Sequence, residues 1–184
     1  MLFTWVDLVL MLFLFGGLAI GFARGLLWEF IGLVSLYLGA VIASQYYSYL
    51  SDFLRQLAGP SPAARLLTAG SFLFLLFLVS LIVSWIVMDS LRSTNLKIFA
   101  SLDHLGGTTL GLISVSALII LLAPIVTFAV VEPWPRGWPE NMRVFLAGEL
   151  DRSIFLPIFK DLKPLMLESI KPWLPAGLPS VFNL

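Results

Sequence analysis

Apolar residues fill the chain from position 8 to position 44, interrupted mainly by Arg24, Glu29 and a few small residues. As a single helix that run would be about 55 Å long, against a bilayer hydrocarbon core of roughly 30 Å, so it must break once. Gly21, Arg24 and Gly25 mark the break, which divides the run into spans at residues 5–22 and 26–44. Two further stretches reach spanning length, residues 66–88 and 105–131. The pattern predicts an all-α membrane protein with four transmembrane helices.

Between the spans the polarity rises. Residues 45–65 place Tyr46, Tyr47 and Tyr49 where an interfacial aromatic belt would sit, with a breaker sequence at 59–62, and read as a short loop with one helical turn over 51–57. Residues 89–104 carry Arg92, Lys97, Asp103 and His104 and belong to the interface or to water. Pro124 removes one backbone donor inside the fourth span and predicts a kink, with Thr127 placed to bond a freed carbonyl. Past Val131 a proline-rich turn over 132–139 brings Trp134 and Trp138 to the headgroup layer.

The chain therefore divides into a four-helix transmembrane domain, 1–131, and an amphipathic interfacial C-terminal tail, 132–184. In the tail Phe155, Ile158, Phe159, Leu162, Leu165, Met166, Ile170 and Trp173 recur at helical spacing, with Lys160, Lys163, Glu168 and Lys171 largely opposite. Pro157 and Pro164 divide that stripe into short amphipathic helices, which either lie in the membrane interface or cap the bundle.

Composition reinforces this picture and narrows the chemistry. The chain is 59% hydrophobic and 12% charged, with a mean hydropathy of +0.98, outside the range of ordinary soluble domains. Eleven basic and eleven acidic side chains cancel, so nothing argues for a nucleic-acid partner. With no cysteine and one histidine, neither a disulfide nor a thiolate or His-rich metal site is expected, and no cofactor is implied. The first span reads as retained, not as a cleaved signal peptide, because it lacks a basic leader and a second span follows at once.

Small residues form faces on three spans. Gly17, Gly21 and Gly25 stand four apart on the first; Gly32, Ser35, Gly39 and Ala43 line the second; Gly107, Gly111 and Ser114 line the fourth. Helix backbones approach closely at such faces, either within one bundle or between copies in a homo-oligomer or around a pore.

Five charged or titratable residues stand out as functional candidates. Arg24 and Glu29 lie about 140° apart on a regular helix, so each faces a different neighbour. Arg24 suits the membrane surface; Glu29, a turn into the second span, must snorkel, pair with a cation from another helix or hold a proton. Asp7, beside Trp5, suits an interface anchor and an acidic helix N-terminus. Asp103 is placed to N-cap the fourth span, and His104 follows it with no nucleophile at a recognisable spacing. No catalytic residue is assigned.

Trp5-Val6-Asp7, then Gly21-Phe22-Ala23-Arg24-Gly25 with Glu29, then Leu102-Asp103-His104-Leu105-Gly106-Gly107 with Gly111, resemble in order and spacing the colicin V production (CvpA) family of bacterial membrane proteins. The tail from Asp151-Arg152-Ser153 to Trp173-Leu174-Pro175 is similar to that family's C-terminal region. Two positions depart from it: His104 stands where the family usually has arginine, and Ser114-Val115 where it often has Arg-Gly. The resemblance implies a multi-pass protein of the bacterial inner membrane linked to production or export of colicin V.

The expected function is accordingly a non-enzymatic membrane scaffold or partner, supporting toxin or bacteriocin production or secretion and envelope function. A homo-oligomeric channel or small transporter is the alternative. Expected partners are the lipid bilayer, a membrane or secretion protein and a second copy of the chain. The first and third connections resemble the family's basic, cytoplasmic loops, which places both termini outside the cytoplasm.

Overall fold

A computed structural model describes residues 3–58, 64–91, 100–131, 139–170 and 172. Its six helices are α1 (Trp5–Arg24), α2 (Leu26–Ala58), α3 (Ala64–Leu91), α4 (Ala100–Val131), α5 (Glu140–Arg152) and α6 (Phe155–Ile170). The first four contain segments long and apolar enough to cross a bilayer: Trp5–Arg24, Leu26–Leu57, Leu67–Leu91 and Leu102–Val130. This is an all-helical membrane protein.

Local chemistry sets where α1 starts and stops. Thr4 is its N-cap: the hydroxyl accepts from the Asp7 amide at 3.2 Å, and the Asp7 carboxylate accepts from the Thr4 amide at 3.0 Å. Such a reciprocal box satisfies two amides that a helix start leaves free. At the other end Gly25 takes φ +85°, where any other residue is strained, and its amide still reaches the Gly21 carbonyl at 3.0 Å. α2 begins at the next residue, so the break in the first apolar run is a single glycine.

Two antiparallel pairs form the bundle. Along α1 and α4, Gly25 meets Asp103, Gly21 meets Gly107, and Gly17 meets Gly111 and Val115. A Cβ on Gly21 would overlap the Gly107 carbonyl oxygen, and one on Gly107 would overlap that of Gly21, so the two backbones touch. In the second pair Gly39 of α2 stands against Ser80 and the Leu76 carbonyl of α3. Ala40, Ala43, Ala69, Phe72 and Leu76 of that pair pack onto Leu121, Ile125 and Phe128 of α4, joining the pairs through α2 and α4.

The polar segment at 45–58, read as a loop, is instead the C-terminal part of α2. It contains no glycine or proline to stop the helix, and its polar groups are used: the Ser51 and Thr68 hydroxyls bond at 3.1 Å, and Arg55 Nη2 donates to Thr68 at 2.8 Å. At 33 residues α2 is about 50 Å long and extends well past a 30 Å core. α4 likewise starts at Ala100, which puts Asp103 and His104 inside its first turns and not ahead of it. Gly32 is a second correction: nothing comes within 4 Å of a Cβ built there, because α1 and α2 diverge from their shared break. Thr127 is a third, since its buried hydroxyl has no hydrogen-bond partner among the described residues.

In the tail the helix boundary falls at 153–154 and not at a proline. Pro157 occupies the first turn of α6, where its missing amide costs nothing, and Pro164 lies within α6. The apolar stripe separates into two. Phe159 is buried against α1 and α4 and Leu156 against α4 and α5, with Met166 packed onto the α2–α3–α4 core, whereas Ile154, Ile158, Leu162 and Leu165 are exposed. The breaker at 59–62, Arg92 and Lys97, the tryptophan turn with Trp134 and Trp138, and Trp173-Leu174-Pro175 lie outside the described residues.

Candidate functional site

Because the pairs are joined through α2 and α4, α1 and α3 stand apart, and a cavity of about 570 Å³ lies between them. Its polar lining comes from all four spanning helices: Arg24, Glu29, Ser35, Ser80, Ser84 and Ser114. Glu29 is only 8% exposed and its Oε2 has no hydrogen-bond partner among the described residues; the Ser35, Ser80 and Ser114 hydroxyls are buried and unpartnered in the same sense. A buried polar atom in that condition costs about 1–3 kcal/mol. Four of them around one cavity, inside a membrane domain, mark it as a place where polar chemistry is maintained against its cost. Arg24 lines the same cavity, is exposed, and makes no ion pair with Glu29 or any other described residue.

Asp103 and His104 act on the α1–α2 break from across the bundle. The Asp103 carboxylate accepts from the Leu26 amide at 2.8 Å, so it caps α2 and not the helix that carries it. His104 Nδ1 donates to the Phe22 carbonyl at 2.8 Å, one of the acceptors left free at the end of α1, and its ring stacks on Phe22 with centroids 4.8 Å apart. Neighbouring residues of α4 thus satisfy one helix end each. Capping interactions of this kind are worth about 1 kcal/mol apiece. The space beside Gly25 is filled by the Asp103 carboxylate, which a Cβ there would overlap.

Asp7 does more than anchor α1. It is fully buried and ties α1 to the start of α6: the Ser153 hydroxyl donates to Oδ1 at 2.6 Å, and the Ile154 and Phe155 amides donate to the same oxygen at 3.0 and 3.1 Å. The Ser153 oxygen in turn accepts from the Leu156 amide at 3.1 Å. One carboxylate therefore caps two helix N-termini, its own and that of α6.

The family model described as Colicin V production protein matches residues 6–164. The chain belongs to the CvpA family. No curated protein and no solved structure matches it significantly. The matched span of this CvpA protein runs from beside Asp7 to within α6, and so includes the cavity, the α4 clamp and the latch at Ser153. The family is not one known for enzymes.

Of the residues singled out from sequence, Arg24 and Glu29 meet at the cavity and Gly32 lines it, while Asp103 and His104 lie at the α1–α2 junction and Asp7 at the other end of α1. Gly17, Gly21, Gly25, Gly107 and Gly111 form the α1–α4 contact, and Gly39 the α2–α3 contact. Sequence reasoning missed Ser80 and Ser84, because α3 shows no run of glycines to draw attention to its polar face. Two serines one turn apart in an apolar helix were the available signal.

Proposed function

We propose that this CvpA-family protein is a non-enzymatic membrane partner in the production or export of a small toxin, with α5 and α6 as its contact surface. The observation that carries the reading is the latch at Asp7. A buried carboxylate fixes the junction of the two tail helices against the bundle, while Ile154 at that junction and Ile158, Leu162 and Leu165 of α6 stay exposed. A rigidly mounted apolar stripe suits docking, since no ordering cost falls on the binding step. The family's association with colicin V production points the same way.

The test uses release of colicin V from cells that carry the toxin and its export genes and depend on this chain. Leu162→Lys with Leu165→Lys changes only exposed positions, so the protein should still accumulate in the membrane while toxin release falls to the level of cells without it. Unimpaired release from that double variant and from a chain ended after Gly137 would sink the reading.

A second reading, a homo-oligomeric channel or small transporter, draws support from the cavity. It expects solute flux in liposomes above the protein-free level, changed by Arg24→Ala and by Glu29→Gln at equal reconstitution. Flux absent from folded, inserted protein would dismiss it.

A further inference from the structure

The cavity's inventory is specific enough to ask what it would hold. Its charged groups are one of each sign, Arg24 at the exposed edge and Glu29 buried, and they line it without pairing to one another. Glu29 Oε2 is buried without a hydrogen-bond partner among the described residues; the Ser35, Ser80 and Ser114 hydroxyls, unpartnered in the same way, line the same cavity farther along the bundle, with Ser80 against Gly39. The remaining walls are apolar, including Phe13 and Ile20 of α1 and Phe77 and Leu81 of α3, which are exposed along the open side.

We propose that this cavity is a binding site for a zwitterion that carries a primary ammonium and an acidic group on one apolar body. A primary ammonium has three donors and no acceptor, the complement of a buried carboxylate oxygen that no donor of the described residues reaches. The acidic group faces Arg24, whose planar guanidinium takes a carboxylate or phosphate by paired hydrogen bonds. A bare cation would leave Arg24 unused and bring it a like charge; a bare anion would do the same to Glu29. A zwitterion adds no net charge to a low-dielectric site, which neither single ion achieves. The volume accommodates a body larger than a metal ion, and the Phe13, Ile20, Phe77 and Leu81 walls suit an apolar one.

Two sources share this chemistry: a free amino acid with an apolar side chain, and the headgroup of an ethanolamine phospholipid entering between α1 and α3 from the bilayer. The site stands whether or not a solute crosses the membrane, and whether or not the tail docks a partner, so its failure would leave both earlier readings where they are.

The experiment places the full chain in nanodiscs of choline phospholipid and measures equilibrium binding of radiolabelled L-leucine and, separately, of an acyl-labelled ethanolamine phospholipid. Saturable binding of either probe is expected, weakened about tenfold or more by Glu29→Gln and by Arg24→Gln, as loss of a charge-assisted hydrogen bond predicts. The trimethylated counterparts, which have no ammonium hydrogen to donate, should compete poorly. Binding of leucine alone assigns the soluble source and binding of the lipid alone the bilayer source; both uphold the site. Arg24 is exposed, so Arg24→Gln carries the test even if Glu29→Gln unfolds. The proposal falls if neither probe binds saturably, if the folded variants bind as wild type does, or if the trimethylated compounds compete equally.

Discussion

Leucine at position 21 will separate α1 from α4. A Cβ at Gly21 already overlaps the Gly107 carbonyl oxygen and sits 3.0 Å from the Gly111 Cα, so both neighbours are backbone and neither can rotate away. The helices must move apart along the whole Gly17 to Gly25 contact, which gives up the close packing that holds helices together in lipid. The expected cost is at least about 3 kcal/mol, the upper end of what overpacking a fixed site produces. Thermal unfolding in detergent would register it as a large drop in midpoint. Gly32→Leu provides the comparison, because nothing lies within 4 Å of its Cβ and it should be tolerated. Equal tolerance of the two substitutions would refute the α1–α4 contact described above.

Asp7→Ala should free the tail helices while the spanning helices persist. The substitution strips the acceptor from the Ser153 hydroxyl, the Ile154 and Phe155 amides and the Thr4 amide at once. Leaving several part-buried donors unsatisfied costs about 3–5 kcal/mol when summed over the cluster with allowance for water reaching some of them. Hydrogen exchange is the direct readout: amides 153–156 should exchange far faster, and trypsin should cut at Arg152 and Lys160. Ser153→Ala removes one donor and leaves the two amide bonds, so its effect should be visibly smaller. Unchanged exchange at 153–156 in Asp7→Ala would show that α6 is held by Phe159 and Met166 packing alone.

These two sites differ in how far the amino-acid order reveals them. The Gly17, Gly21, Gly25 and Gly107, Gly111 faces are visible because four-residue spacing is a property of one helix, but which face meets which depends on the fold of the whole bundle. Asp7 is legible as part of a helix N-terminus, since Thr4 and Asp7 are local; its hold on Ser153 spans 146 positions and leaves no periodic trace. The four spans follow from hydropathy and length. The polar end of α2 does not, because polarity reads as loop even where neither glycine nor proline interrupts the chain and where Ser51 finds Thr68 on the next helix. Prolines misled in the tail for a related reason: Pro157 marks a helix start, and the break itself is made by Ser153 and Ile154 turning toward a carboxylate that belongs to α1. Glu29 was conspicuous as a charge in an apolar run, whereas Ser80 and Ser84 were ordinary residues until the fold put them on the same cavity.

The clamp at Gly25 also constrains the order in which the molecule can be assembled. Phe22 and Leu26 are stabilised by His104 and Asp103, groups that emerge about eighty positions later in synthesis. When the first two spans enter the membrane, the carbonyl and amide at their junction have only water or lipid headgroups for company, and the glycine hinge between them is free to change its angle. The fourth helix arrives and closes it. The first hairpin is thus a provisional structure for most of translation, and it acquires its final bend, and with it the spacing between Arg24 and Glu29, in the step that completes the bundle.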